Sequence, residues 1–419
     1  MARRTKLTPA FAYPDFRLFW AAGAMLTSGQ QTSMVAMAWL LFDITSDPLA
    51  LGLLGFVRGI PGLASSLVGG ILADKFDRRR VMMAGTIGNA AVFIALATLT
   101  LTGDIKVWHI LTVGFISGGL QAFEGPARQA IFPHLVNRQH LTSAVSLVSA
   151  MNPSVRIFVP IATGLLIDRV GVGYDGAATA LYTVAGLYVG GSALMLLLHI
   201  PSIERALGGG LQTMVEGARF VSAHRTLGFL LLMAFVHGIG MSYTTMLPVF
   251  AVEFDSESSG SALGLLFAAG GVGGTLGAII GGALGGRVRP AILMVSGGVT
   301  FGLALATFSF IPLFGVVLLV LLAASFGNNV FQVTAQSALQ SRIPDNYRGR
   351  VMSLWSWQFI VFVPLGALGL GAIAGTFSAP IALLVSGSIV GLFALLVAGV
   401  HPGIRRLGHA HTAEQSMVS

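Results

Sequence analysis

Two arginines stand where arginine is expensive. Arg58 lies nine residues into the apolar run 49–73, about 14 Å along a helix that rises ~1.5 Å per residue, and Arg156 is similarly placed within 142–168. A guanidinium at that depth of a bilayer must face protein or a water-filled cavity. Both arginines are therefore candidates for a cationic lining that holds an anionic or catechol-like ligand. The competing role is structural, binding backbone carbonyls or a helix C-terminus. Pro61, with Gly55, Gly59 and Gly62, can bend one run and open a cavity, and Asn152 and Pro153 precede the arginine of the other. No acid lies at matching depth in the sequence. The other deep polar groups are Gln30 and Gln31 in the first run and Asn328, Asn329, Gln332 and Gln336 in the tenth, where spacing of three to four puts the last three on one face. Tyr243, Trp355 and Trp357 could stack on a ring. His237, in the seventh run, can titrate near neutral pH and equally suits helix packing. The expected small-molecule site is thus Arg58, Arg156, Gln30, Gln31, His237, Tyr243, Asn329, Gln332 and Trp355.

A second cluster suggests a gate. Four cations and two carboxylates crowd the seven residues from Asp74 to Arg80, in a chain otherwise rich in Leu, Ala, Gly and Val. Gly70 lets the preceding helix end approach a neighbour, Asp74 can face the positive end of the helix that begins after Arg350, and Glu124 can pair with Arg78 or Arg79. Gly70, Asp74, Arg78, Arg79, Glu124 and Arg128 are read as one cytoplasmic latch. Asp43, Glu124, Asp168 and His237 are the candidates to carry a coupled proton. Asp43 and Asp168 close the first and fifth runs on the outer side, where solvated helix ends or an outer gate are the other readings. Gly270 to Gly277 lacks the preceding strand of a phosphate cradle and reads as close helix packing. No metal-ligand cluster and no nucleophile, base and acid constellation is evident, so neither an enzyme nor a cofactor is expected.

The elements that must position these residues are transmembrane helices. Of 419 residues 54% are hydrophobic and only 10% charged, against about 25% charged in soluble domains, which makes the chain an integral membrane protein. Twelve apolar segments follow at roughly 17–42, 49–73, 81–102, 108–130, 142–168, 177–199, 227–251, 260–285, 291–311, 313–339, 352–376 and 380–400. With both termini cytoplasmic, 20 of the 24 Lys and Arg fall on the cytoplasmic side, with only Lys106 and Arg169 outside and Arg58 and Arg156 within segments. This placement also accounts for the net charge of +8 without nucleic acid. The absence of Cys excludes disulfides and thiolate chemistry. The basic N-terminus before a long apolar run reads as a retained first helix.

The chain repeats at half its length. Leu51-Gly52-Leu53-Leu54 recurs as Leu263-Gly264-Leu265-Leu266, Gly70 falls on Gly282, and Gln129 with Pro133 recurs as Gln340 with Pro344. The expectation is an all-α polytopic fold of two six-helix repeats, 1–200 and 226–419, joined by a cytoplasmic linker, 201–225, that carries a short amphipathic tether helix. The second copy of the charged hairpin has Gly286 in place of Asp74, so the latch is one-sided.

Three stretches carry a resemblance. Asp74-Lys75-Phe76-Asp77-Arg78-Arg79-Arg80, Pro126-Ala127-Arg128-Gln129-Ala130 with Pro133, and Pro344-Asp345 with Arg348-Gly349-Arg350-Val351-Met352-Ser353 are similar to motifs of the major facilitator superfamily, in the branch of enterobactin exporters and related drug-efflux proteins. Asp77 in place of the usual glycine is in keeping with that branch. Two departures stand out. The first helix has Gln30 and Gln31 where proton-coupled drug antiporters often carry an acid, and Arg156-Ile157-Phe158-Val159-Pro160 has Val159 where the fifth-helix pattern has glycine, which predicts altered packing there. The resemblance implies a monomeric transporter of the bacterial inner membrane that uses protons and alternating access to export a hydrophobic or anionic small molecule, a siderophore or a drug. An importer or facilitator on the same fold, or a non-transporting membrane sensor, are the alternatives.

Overall fold

A computed structural model of the protein describes residues 9–75, 78–170, 174–199, 211–255, 257–308 and 310–400. Every regular element among them is helical, as a chain this apolar requires: in hydrocarbon each N–H and C=O must find its partner within its own segment. The helices are α1 (Pro14–Thr45), α2 (Pro48–Lys75), α3 (Arg78–Thr102), α4 (Val107–Ile131), α5 (Leu141–Arg169), α6 (Asp175–Leu196), α7 (Leu211–Ala223), α8 (Arg225–Met241), α9 (Leu247–Phe254), α10 (Ser259–Leu284), α11 (Pro290–Phe308), α12 (Phe314–Gln340), α13 (Asp345–Trp357), α14 (Val363–Thr376) and α15 (Ala379–Val400). Among the described residues nine helical runs are long and apolar enough to cross a bilayer, α8 with α9 and α13 with α14 each counting as one.

Two expected segments are interrupted. Between α8 and α9 the chain tightens into a 3-10 turn, Ser242–Met246, and between α13 and α14 it widens into a π-helical turn, Gln358–Phe362. Such turns leave backbone groups and side chains out of the regular ladder, and both stand beside the cavity described below.

The helices form two groups. In the first, α1 packs on α5 and α6, α3 on α4 and α6, and α2 on α4; in the second, α12 lies against α10 and α11, and α15 against α11 and α14. The groups meet along two seams, α5 on α10 and α2 on α14. Both seams depend on missing side chains. A Cβ on Gly164 would stand 2.2 Å from the Gly260 carbonyl oxygen, and one on Gly52 would stand 2.5 Å from that of Ala367 and 2.8 Å from the Gly371 Cα. The valine at 159 therefore does not loosen the α5 contact. Close approach has moved to Gly164 on α5 and to Gly260, Gly264 and Gly271 on α10, whose Cβ positions abut the backbone of Gly164, Pro160 and Arg156. Both seams run from the Asp168 end of the bundle to its middle.

The tether helix α7 rests on protein. Glu216 pairs with Arg350 of α13 at 2.8 Å, and Phe220 stacks on Tyr347 with ring centroids 4.4 Å apart. The ion pair is half-exposed and contributes little by itself, so the stacked rings carry the contact.

Candidate functional site

A cavity of about 510 Å³ lies between the two groups, below the seams. Its walls come from α1 (Gln31, Met34), α5 (Asn152, Pro153, Arg156), the α8 end and the 3-10 turn (Met241, Tyr243, Thr244), α10 (Phe267, Gly270, Gly274, Thr275), α12 (Ser325, Asn328, Asn329, Gln332) and the π turn (Phe359). Its size suits a drug-sized ligand. Arg156 is the one charged side chain among the described lining residues, and it stands exposed there. No carboxylate lines the cavity among them, so nothing in the wall neutralises the cation.

The polar groups of the wall are held in order. The Tyr243 hydroxyl is 2.9 Å from Ser325 Oγ and within electrostatic range of Arg156. Asn329 Nδ2 donates to the Ser325 carbonyl at 3.0 Å. Gln332 Nε2 donates to Gln358 Oε1 at 2.8 Å. Room for these side chains comes from α10: a Cβ at Gly270 would meet the Tyr243 and Ser325 hydroxyls, and one at Gly274 would come within 2.8 Å of Asn329 Nδ2. Gly274→Val is thus expected to weaken ligand binding about tenfold while folding is retained, since the obstacle is a mobile amide; titration calorimetry on the purified protein checks it. Such a wall can bind and orient an anion. It offers no bond-making chemistry.

The model of the family described as transmembrane secretion effector matches residues 5–417. The chain is a major facilitator transporter of this family. It is similar to the enterobactin exporter EntS of Salmonella choleraesuis, 25% identical over 392 residues that cover 92% of this chain and 93% of the other. To the enterobactin exporter EntS of Escherichia coli O1:K1 it is 27% identical over 392 residues, covering 93% and 91%. Two solved structures share its fold. The nucleoside transporter NupG superposes with a TM-score of 0.76 at 16% identity, covering 94% of this chain and 99% of that one. A bacterial homolog to the human lysosomal transporter Spinster, inward-facing and unoccupied, gives 0.73 at 13% identity, covering 93% and 98%.

Of the nine residues expected to bind substrate, the transporter brings five together at the cavity: Arg156, Gln31, Tyr243, Asn329 and Gln332. The other four lie elsewhere. Arg58 turns into the first group, where its Nη2 donates to Ser33 Oγ at 3.3 Å. Gln30 Nε2 donates to Gln121 Oε1 at 2.7 Å, and Gln121 passes a bond on to Ser117. Trp355 is buried in a core cluster of the second group. His237 is 2% exposed and stacked on Phe331, ring centroids 3.6 Å apart, with Nε2 unpartnered. A proton on that nitrogen would place a cation in an aromatic sandwich with no acceptor. His237→Phe is therefore expected to leave the pH dependence of transport unchanged, as measured by flux at a series of imposed gradients.

Glu124 is 6% exposed on α4, and no described cation lies within ion-pair distance of it. It shares an electrostatic cluster with Arg128, Arg58 and the buried Tyr188 phenol. Arg58 and Glu124, from different depths in the sequence, thus both act on the same buried phenol. Of the remaining latch residues, Gly70, Asp74, Arg78 and Arg79, only the helical backbone is described.

At the opposite end Asp168 makes a contact that spans the groups. Its two carboxylate oxygens accept from the backbone N–H groups of Gly260, at 2.9 Å, and Ser261, at 2.6 Å. Those are the N–H groups that a helix's own N-cap usually satisfies, and the N-cap of α10, Ser258, makes no such bond. Trp39 Nε1 donates to Ser259 Oγ beside it, at 2.9 Å. Asp43 meets Tyr174 instead. Burial first, and then the neighbouring Asp43 carboxylate, push the Tyr174 phenol up, so it remains a neutral donor to that carboxylate.

Sequence reasoning overlooked Met34, Thr244, Phe267, Phe359 and Gln358. Gln358 alone carried a usable signal, as a lone amide within the apolar run 352–376.

Proposed function

We propose that the protein is a proton-coupled exporter of an anionic small molecule with apolar or aromatic surface, working by alternating access between two six-helix halves. The observation that carries this reading is Arg156, a cation with no counter-charge among the described lining residues of a cavity between two helix groups. The names of the enterobactin exporters support the direction and class of cargo. The two seams, α5 on α10 and α2 on α14, are reciprocal in the way a two-fold repeat would make them. With both termini in the cytoplasm, as the distribution of Lys and Arg favours, the Asp168 end is external and the cavity is reached from the cytoplasm. The cell's plasma membrane is then the place of action. Glu124, buried and without an ion pair among the described residues, is the proton carrier in this reading, from the four candidates Asp43, Glu124, Asp168 and His237.

The test is flux in proteoliposomes with an imposed pH gradient. Counterflow of 3,4-dihydroxybenzoate should accelerate with the gradient, and indifference to it sinks the coupling. Glu124→Gln is expected to lower gradient-driven flux at least tenfold while substrate exchange at equilibrium persists.

Asp168 in this reading is the outer latch. Removing a carboxylate that serves two N–H groups at a helix N-terminus costs about 1–2 kcal/mol, a shift of roughly 5- to 30-fold toward the externally open state. Because the chain has no Cys, spin labels at Thr102→Cys and Leu313→Cys report the outer separation directly. Asp168→Ala should raise the population at the longer distance, and an unchanged distribution removes the latch.

A further inference from the structure

The amide side chains on α12 are not free to choose which end they show the cavity. The Trp355 carbonyl can only accept, so the Gln358 amide turns its Nε2 toward it, at 3.3 Å. Gln358 is completely buried, and its Oε1 is thereby aimed at Gln332. Gln332 must present Nε2 in reply, which also contacts Met241 Sδ at 3.3 Å, and its own Oε1 is left without a bond from any described residue. One turn earlier the Ser325 carbonyl fixes Asn329 in the same sense, drawing Nδ2 away and leaving Oδ1. Beside it Asn328 is 6% exposed, and its Oδ1 is buried away from the cavity with no hydrogen-bond partner among the described residues. A carbonyl oxygen without a donor is unfavourable, and the two neighbouring ones at the cavity wall, Asn329 Oδ1 and Gln332 Oε1, form a row of unmet acceptors. Facing them from α5 is the Arg156 cation.

We propose that the α12 wall is an acceptor row, Asn329 and Gln332, whose polarity is set from behind by the Ser325 carbonyl and by Gln358, and that it selects ligands bearing hydroxyl or amide N–H donors on the side away from the anionic group held by Arg156. This deepens the reading of the cavity as the substrate site and rests on it. Gln358 is then a positioning residue. It touches no ligand, yet it decides that Gln332 accepts rather than donates. Apolar or methylated analogues of the same charge are rejected because they leave the row unsatisfied, a stronger discrimination than pocket shape alone provides.

The experiment compares two anions that differ in donors, 3,4-dihydroxybenzoate and 3,4-dimethoxybenzoate, by titration calorimetry on the purified full-length protein. The wild type should favour the dihydroxy anion about tenfold or more, a ratio that one or two satisfied hydrogen bonds supply. In Gln358→Leu and, independently, in Gln332→Met the ratio should collapse to below about twofold. The extra bulk of the methoxy groups is the same in every variant, so a steric origin predicts a ratio that does not move. Unliganded melting temperatures report folding, and Gln332→Met keeps volume on the cavity side should the Gln358 variant be unstable. A wild-type ratio near one, or a ratio that survives both substitutions, overturns the acceptor row. The two readings fail differently: if Arg156→Ala still weakens both anions while the ratio is one, the substrate site stands and the acceptor row falls; if Arg156→Ala changes neither affinity, the site itself falls.

Discussion

Replacement of Arg156 by alanine is expected to weaken binding of 3,4-dihydroxybenzoate by about 30- to 150-fold and to reduce its export correspondingly. The figure follows from removing one charge-assisted contact in a partly desolvated cavity, about 2–3 kcal/mol. No other described lining residue can substitute, because Gln31, Asn152 and the α12 amides are neutral. Arg156→Lys keeps the charge and loses the fork of donors, so an intermediate loss of about tenfold is expected. Arg58→Ala is the informative comparison. Its guanidinium is engaged with Ser33 inside the first helix group, so its removal should act on stability and coupling before affinity. Titration calorimetry on the three variants checks the order, and an Arg156→Ala affinity within twofold of wild type would falsify the assignment of the site.

Gly164→Val is expected to hold the external side open and to cut transport to below about 5% of wild type without unfolding the protein. A Cβ there meets the Gly260 carbonyl oxygen at 2.2 Å and its carbonyl carbon at 2.8 Å. Both are backbone atoms of a long helix and cannot turn aside as a side chain would. The strain is relieved only when α5 and α10 separate, that is, in the other arm of the transport cycle. About 2.7 kcal/mol is enough to turn an even balance of two states into 99 to 1, and overpacking a close helix contact reaches that size. The spin-label pair at Thr102→Cys and Leu313→Cys should show the long distance almost alone. Gly186→Ala is the matched control, since a Cβ at Gly186 meets nothing within 4 Å and alanine suits a helix interior. It should transport normally. A Gly164→Val protein that still shows the short distance rules out the α5–α10 seam as the moving contact.

Alternating access joins these two results. The seams close one end while the cavity lies beyond them, and Asp168 adds a carboxylate to the glycine contact at the closed end. The counterpart end of α2 is served differently: Asp47 accepts from the Leu49 N–H within its own helix start, at 2.8 Å. Among the described residues one of the two seams, α5 on α10, is latched across the groups by charge. Opening must uncover the first turn of α10, where no local cap takes over.

What the sequence determined by itself is depth and side. Apolar runs of bilayer length, arginines counted into them at ~1.5 Å per residue, and the skew of Lys and Arg predict membrane helices, two deep cations and an orientation, because these follow from the cost of taking charge and backbone out of water. Depth is one coordinate of three. Arg58 and Arg156 are equivalent in it, and so are Gln30 and Gln31, yet Arg156 and Gln31 line the cavity while Arg58 is engaged by Ser33 and Gln30 by Gln121. Which way a residue faces around its helix axis depends on which neighbour that helix packs against, and in lipid an apolar face carries no instruction, since every side of the helix is apolar. For the same reason the chain left His237 open between titration and helix packing, and it became the middle of an aromatic stack once α11 and α12 closed on it. Asp168 looked like a solvated helix end until α10, some 90 residues further along the chain, brought its uncapped N–H groups to it. Tertiary packing decided azimuth and partners, and with them which of two similar arginines faces the cavity.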